Sequence, residues 1–503
     1  MEKVALIELG INNVKLILAH AVMEQSFVVY DEISEPLKIG RDLERDGFIK
    51  PTQIAEAITV LKMFRKLCDS EGVTRTTAYA TYSVREAKNQ RSFIEELEMV
   101  SGFKFRVLSP QEEGSAIYTG VINTLDVPKA VIVYIDENTT QLIQYSRRNI
   151  LQQEIIPFGT GTLSELFLEN GSNTEAQSKI MTEFFAKQLA GLSWLKTIED
   201  EFKFVGVGKT FASLGKLSRK GKKYPLDLAN NYRMNSADIN NVFGAVKALE
   251  MDKETKLKGT STNAYELLAG LSMVSAFVNN YKMNELVISD YGMSTGMLYN
   301  YVISSTNEKP ISDLLGYSLE TINTFYPSPR KNTRHIYELC LILFRQLKVL
   351  HKLSRHYVRP LKIAAYMYAC GARIGFNGST KVAYSVVLNS QIYGASHRDI
   401  VIGAFIAASQ NADDFNLGEW VRYKDILLEE DLDALRKLAA IVRIASGLDR
   451  TQHAYIKDIV CDVLGDSVIM KTITEADVSF EIKCAAAAAH DFKRAYRKNL
   501  ELL

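Results

Sequence analysis

The sequence predicts an α/β protein of two lobes, each opened by a β-hairpin, followed by an all-helical stretch and a small α+β piece. Three observations predict it. Apolar runs at strand spacing alternate with runs at helical spacing through the first half of the chain, the hairpin pattern occurs twice, and the periodicity then turns almost wholly helical. The 503 residues, 47% hydrophobic and 24% charged, exceed one core and predict about three or four domains at roughly 100–200 residues each.

Val4 to Ile7 and Val14 to Leu18 read as strands around the turn Gly10-Ile11-Asn12-Asn13, because Gly and Asn tolerate positive φ. Pro51 to Cys68 has helical spacing (Ile54, Ala57, Ile58, Leu61, Phe64), Thr76 to Thr81 reads as a strand, and Ser92 to Val100 as a helix. The second hairpin runs from Ala130 to Ile135, turns at Asp136-Glu137-Asn138 and resumes over Thr140 to Tyr145. Two such lobes predict a cleft in which backbone amides of both turns face one ligand.

Pro327-Ser328-Pro329 is a breaker cluster where helical patterning takes over. From Asn332 to about Gly447 the pattern is all-helical, with Ile336, Leu339, Leu343, Leu347 and Leu350 on one face. Val468 to Met470 and Val478 to Ile482 read as strands and Ala485 to Asn499 as a helix. The expected domains are 1–125, 126–310, 311–447 and 448–503.

Lys and Arg total 60 against 59 Asp and Glu, so a formal charge of +1 excludes the basic footprint of a protein that coats nucleic acid. Five cysteines without a CxxC pair fit neither a disulfide framework nor a zinc cluster and read as reduced, mostly buried thiols. The seven histidines form no i, i+4 pair, and His351 and His356 read as surface residues. No run of ~18 apolar residues and no basic leader precedes Val4, so the expected location is the cytoplasm, with no membrane partner.

Three motifs carry chemistry. Arg85, within Ala80-Thr81-Tyr82-Ser83-Val84-Arg85-Glu86-Ala87, follows a predicted strand, where a guanidinium either clamps a phosphate or forms a surface salt bridge. Ser109-Pro110-Gln111-Glu112-Glu113-Gly114 places two carboxylates at the start of a helix expected over Ser115 to Val121, either to orient a water or as partners of the helix dipole. Val205-Gly206-Val207-Gly208-Lys209-Thr210 fails the GxxxxGK[ST] spacing, which leaves a glycine turn near phosphate or an ordinary strand-to-helix turn.

Together these segments resemble the Ppx/GppA family of exopolyphosphatases and guanosine pentaphosphate phosphohydrolases across nearly the whole chain. The matching segments are Glu8 to Asn13 for the first phosphate loop, Ala80 to Asn89, Ser109 to Gly114, Pro157-Phe158-Gly159, Gly206 to Thr210, Tyr224 to Asp227, Ser289 to Met293 and Leu438 to Arg443. The resemblance implies two actin-like (ASKHA, ribonuclease H-like) lobes and a helical HD-like module, with Mg²⁺ or Mn²⁺ in active members. It makes Glu113 the catalytic candidate. Arg85, Gly10, Asn12, Gly208, Lys209 and Thr210 become substrate-binding candidates, and Glu8 a metal candidate.

The chain also departs from the family. The second loop, Asp-x-Gly-Gly-Gly-Ser-Thr-Glu in the family, reads Tyr134-Ile135-Asp136-Glu137-Asn138-Thr139-Thr140-Gln141, so three glycines give way to side chains and two acidic positions are neutral. Asp becomes Glu8 and Ser becomes Ile11 in the first loop, Gly-Gly-Thr becomes Gly208-Lys209-Thr210, and Leu-Arg-Glu-Gly becomes Met293-Ser294-Thr295-Gly296. Tyr368-Ala369 stands where a His-Asp pair is expected, which predicts a helical module without metal. The resemblance thus implies a cytoplasmic exopolyphosphatase-like hydrolase of reduced activity, acting on polyphosphate or a guanosine alarmone. The alternative is a pseudoenzyme that binds such a ligand or a protein partner, with a homodimer as the oligomeric option.

Overall fold

In the computed structural model, the first lobe is built on strands β1 (Glu2–Leu9), β2 (Asn13–Val22), β3 (Ser26–Pro36), β4 (Arg75–Ala80) and β5 (Phe105–Val107). The structure describes residues 1–503 apart from 11, 38, 40–46, 170–172, 250–259, 261–262, 282, 304–309 and 410–416; of 82, 83 and 417 it describes the backbone alone. The sheet order is β3-β2-β1-β4-β5, antiparallel through the hairpins and parallel from β1 to β4 and β5. Helices α1 (Pro51–Glu71), α2 (Tyr82–Glu86) and α3 (Gln90–Ser101) connect the parallel strands. Pro51 at the first helical position and Gly72 at φ 67 bracket α1. Strand β1 is buried on both faces: Ala5, Ile7 and Leu9 join the core under α1 and α3, and Leu6 joins a second core. Hence Val4 to Ile7 is a continuous apolar run rather than an alternating one.

Helix α4 (Pro110–Ile122) leads to a second sheet of β6 (Lys129–Ile135), β7 (Thr140–Ser146), β8 (Asn149–Ile156), β9 (Lys203–Val207), β10 (Tyr232–Asn235) and β11 (Glu285–Ser289), ordered β10-β11-β9-β6-β7-β8. Its helices are α5 (Thr160–Phe167), α6 (Thr174–Ala190), α7 (Lys209–Gly221), α8 (Ser236–Lys247), α9 (Ala264–Asn280) and α10 (Met293–Val302). Helices α4 and α10 cross at glycines. A β-carbon on Gly120 would lie 2.1 Å from Gly292 O, and one on Gly296 would lie 1.8 Å from Ala116 O. The backbones touch there, and any side chain would push them apart. Two separate sheets within 1–222 and 229–312 form one compact unit.

Residues 223–228 and 313–503 form the other unit. It contains α11 (Leu314–Phe325), α12 (Thr333–Gln346), α13 (Val358–Met367), α14 (Ser379–Asn389), α15 (His397–Ala408) and α16 (Asp431–Leu448), among shorter helical turns. Helix α11 precedes Pro327-Ser328-Pro329 and buries Leu319 in this unit's core, so the change of architecture falls near residue 312 rather than at the breaker cluster. His351 is buried, not at the surface: Leu353 N–H donates to its Nδ1 at 2.9 Å, and Nε2 bonds Phe344 O at 2.7 Å. Burial lowers its pKa. Of the cysteines, Cys68 and Cys340 are buried, the other three are half-buried, and all five are free thiols.

The terminal piece differs from its sequence reading. Val478 to Ile482 is not a strand but the start of α17 (Ser479–Ala486), which lies against α16 so closely that a β-carbon on Gly447 would be 2.5 Å from Ala485 Cα. Its period-two look misleads because Phe480 faces solvent while Ile482 and Ala485 pack inward. The expected helix Ala485 to Asn499 is broken, and α18 (Ala489–Tyr496) ends at Arg497 with φ 57. Strands β12 (Asp458–Leu464), β13 (Ser467–Ile473) and β14 (Asn499–Leu502) then make a three-stranded sheet. Among the described residues no helix is long and apolar enough to cross a membrane.

Candidate functional site

The two sheets bring both hairpin turns to one place. In the first turn the Gly10 amide donates to Asn13 O at 2.9 Å, so it closes the loop. A side chain on Gly10 would approach Asn13 Oδ1 to 3.0 Å. Ile11 lies outside the described residues. Asn12 is exposed, and its Nδ2 donates to Glu137 Oε2 of the second turn. Glu8, near the end of β1, is half-buried; its Oε2 accepts from Tyr79 OH at 2.8 Å and from Ser294 Oγ at 2.5 Å. Tyr79 stands opposite Glu8 in the β1–β4 register. Burial, reinforced by the charge of Glu8, holds the Tyr79 hydroxyl well above its ordinary pKa, so it stays a donor.

The second turn is closed by Asp136 N–H to Thr139 O at 2.9 Å. Its carbonyls face the start of α5: the amide of Thr160 donates to Asp136 O at 2.9 Å, and those of Gly161 and Thr162 to Glu137 O at 2.8 and 3.2 Å. Amides at a helix N-terminus are natural anion donors, and these three are taken by the protein's own backbone. A β-carbon on Gly159 would sit 2.3 Å from Asp136 O and 2.4 Å from Glu137 C, so the turn presses on α5 where only glycine fits.

Glu137 Oε1 accepts from Lys209 Nζ at 3.2 Å. Lys209 begins α7 after Gly208, whose φ of +102° favours glycine. Burial opposes the ammonium charge, but Glu137 and Asp136 outweigh it and raise the Lys209 pKa. Asp136 itself stands open to solvent, yet the surrounding protein and then Glu137 push its carboxyl up to about 6, against the pull of Lys209. Thr210 is 1% exposed, and its side chain packs on Gly270 of α9, where a β-carbon would meet its Oγ1 at 2.5 Å. Its hydroxyl therefore faces the core.

Glu113 is 5% exposed. Helix α4 begins five residues before the expected Ser115, because Pro110 takes the first position and Ser109 and Glu112 form a reciprocal cap at 2.8 and 3.2 Å. Glu112 is thus an N-cap partner and Glu113 turns inward. Its Oε1 accepts from Arg85 Nη1 at 3.2 Å and its Oε2 from Gln141 Nε2 at 3.1 Å. Arg85 lies in α2, and Nη1 also donates to Leu108 O at 2.5 Å. The arginine read as a phosphate clamp is therefore engaged in orienting Glu113. Sequence reasoning missed Tyr79 and Ser294 as partners of Glu8. The one signal was paired: where the resemblance leads one to expect Asp and Arg, this chain has Glu8 and Ser294, and the structure joins them.

Glu8, Glu113 and Glu137 do not fit a resident Mg²⁺ or Mn²⁺. An octahedral cage needs several oxygen ligands free to converge. Here Glu8 takes two hydroxyls, Glu113 an amide and a guanidinium, and Glu137 an amide and an ammonium. Among the described residues no three His, Cys, Asp or Glu side chains gather as a metal site.

Two sheets that each hold an antiparallel hairpin whose first strand pairs in parallel with its other neighbour, with the two hairpin turns joined through Asn12 and Glu137, define the class as a two-sheet α/β fold. The sequence model of the Ppx/GppA phosphatase family matches residues 19–305, more than half of the chain, and the protein belongs to that family. The chain is 20% identical over 403 residues, 78% of itself and 77% of the other, to a guanosine-5'-triphosphate,3'-diphosphate pyrophosphatase of Aeromonas hydrophila. The fold matches the Aquifex aeolicus Ppx/GppA family member with a TM-score of 0.53 at 24% identity, covering 61% of this chain and 99% of that one. It matches an exopolyphosphatase from Cytophaga hutchinsonii with a TM-score of 0.54 at 18% identity, covering 60% and 98%. These neighbours share the fold of the α/β part.

Proposed function

We propose that the protein handles terminal phosphoanhydrides of polyphosphate or a guanosine alarmone in the α/β unit, with hydrolysis strongly attenuated. One observation carries this: Glu113 is buried with both oxygens held, so its carboxylate has a defined direction in which to take a proton from water. Attenuation rests on the donors around it. The amides that would stabilise developing charge on a phosphoryl oxygen are closed into the turns, and losing one such donor can cost ~10²–10³ in rate. Arg85 acts here as a positioning residue, and Asn12 and Lys209 are the side chains left to meet phosphate once their carboxylate partner moves. The helical unit we read as HD-like in ancestry and structural in role.

A second reading, a family member that binds without turnover, is favoured by one feature: the start of α5 is taken by the carbonyls of residues 136 and 137. Phosphate release from long-chain polyphosphate and from guanosine pentaphosphate, with Mg²⁺ or Mn²⁺, separates the two. Slow release that disappears in Glu113→Gln supports the hydrolase. Binding of either compound without release supports the second reading, and turnover matching an intact family member refutes attenuation.

A further inference from the structure

Resting on that reading, we propose that Glu137 is an autoinhibitory latch: its carboxylate occupies the anion seat between the two loops and must be displaced before a phosphate can enter. The seat is defined by two donors that belong to different parts of the fold. Asn12 reaches Glu137 Oε2 from the β1–β2 turn of the first sheet, and Lys209 Nζ, at the start of α7 in the second, donates to Glu137 Oε1 at 3.2 Å. Each carboxylate oxygen takes one of them, as two oxygens of a phosphoryl group would. Glu137 is held in place by its own backbone, since its carbonyl accepts from Gly161 and Thr162 while the side chain projects to the opposite turn. The Gly159 contact keeps that backbone from shifting.

The carboxylate thus does two things. It pairs with the Lys209 ammonium, and it ties the first sheet's turn to the second's. A phosphate chain competes with an intramolecular ligand, so its apparent affinity falls by the fraction of molecules in which the latch is open. This is specific to a side chain at this position; glycine there would leave both donors to the ligand.

The test is calorimetric titration of the full chain with inorganic tripolyphosphate, comparing wild type, Glu137→Gln, Lys209→Ala and the double variant, each checked for an unchanged far-ultraviolet spectrum. Glu137→Gln should bind about tenfold tighter or more, equivalent to about 1.4 kcal/mol. The double variant should lose that gain, because Lys209 is the freed donor. If Glu137→Gln binds no tighter while Lys209→Ala weakens binding, the latch is refuted and the phosphate reading stands. If no variant binds tripolyphosphate, the phosphate reading and the latch fail together, and amide hydrogen exchange tests only the tie between the turns. Glu137→Gln and Asn12→Ala should each speed exchange in the β1–β2 turn several-fold, and unchanged exchange overturns the tie between the turns.

Discussion

The β1–β2 and β6–β7 turns stand at equivalent places in two sheets of like topology, each joining an antiparallel pair whose first strand runs parallel to its other neighbour. Their states differ. The first turn keeps Gly10 and offers Asn12 outward. The second carries Asp136, Glu137 and Asn138, and its carbonyls cap α5 while one of its carboxylates holds Asn12 and Lys209. One turn thus supplies donors and the other consumes them. Two turns at equivalent positions thus form a self-complementary contact with the topology of both sheets intact.

The largest expected effect is on the buried carboxylate that Arg85 and Gln141 hold. Glu113→Gln removes the proton acceptor and should lower any phosphate release by ~10²–10⁴, while stability is retained because the amide still accepts from Arg85. Release unchanged in that variant would show that the activity resides elsewhere.

Next is the attempt to make the second turn like the first. Asp136→Gly, Glu137→Gly and Asn138→Gly together should raise turnover by about 10², the scale of one recovered donor. Adding Gln141→Glu should undo the gain, because Gln141 Nε2 donates to Glu113 at 3.1 Å and a carboxylate there would repel it. Steady-state phosphate release reads both steps; a further rise on adding Gln141→Glu would reverse this account of Gln141.

Gly159→Ala tests how tightly the turn presses on α5. The new methyl would lie 2.3 Å from a backbone oxygen, which neither side chain nor rotamer can relieve, so a loss of ~1–3 kcal/mol in chemical denaturation is expected. Gly10→Ala meets Asn13 Oδ1 at 3.0 Å, a side-chain atom that can yield, and should cost less. Equal losses would remove the asymmetry between the turns.

Ser294→Ala deletes one of the two hydroxyls on Glu8 and should cost about 1 kcal/mol, with Tyr79→Phe similar. If both are neutral, the Glu8 network is incidental.

The smallest effect is in pH dependence. Asp136 has a folded pKa of about 6, above its ordinary 3.8, so the folded state binds more protons between these values. The favourable contribution is complete below about pH 4 and is lost as pH rises through 6. Asp136→Asn should therefore be more stable than wild type at pH 7, with the difference closing toward pH 4. A difference that widens on acidification contradicts this sign.

Much of the fold was legible in the sequence because it depends on neighbours a few positions away. The hairpin strands followed from apolar runs around Gly10 to Asn13 and Asp136 to Asn138, and α1 followed from the periodicity after Pro51. The cap at Ser109, Pro110 and Glu112 is local as well, and it starts α4 at Pro110 rather than Ser115. Local pattern misled at Val478 to Ile482, where alternation suggested a strand and the neighbouring α16 imposed a helix.

By itself, then, the sequence determined the two α/β repeats, the helical region after them, and the candidates Glu113, Arg85, Asn12 and Lys209, because periodicity and residue chemistry survive without a partner. Only the tertiary structure decided what those side chains do. It gave Arg85 to Leu108 and Glu113, turned Thr210 toward α9, buried His351, and set Ser294 on Glu8, 286 residues away in the chain. Glu137 met Asn12 across 125 residues and Lys209 across 72. Such partners are chosen by the packing of whole sheets, and a hydrogen bond between residues that far apart leaves no spacing for a sequence to display.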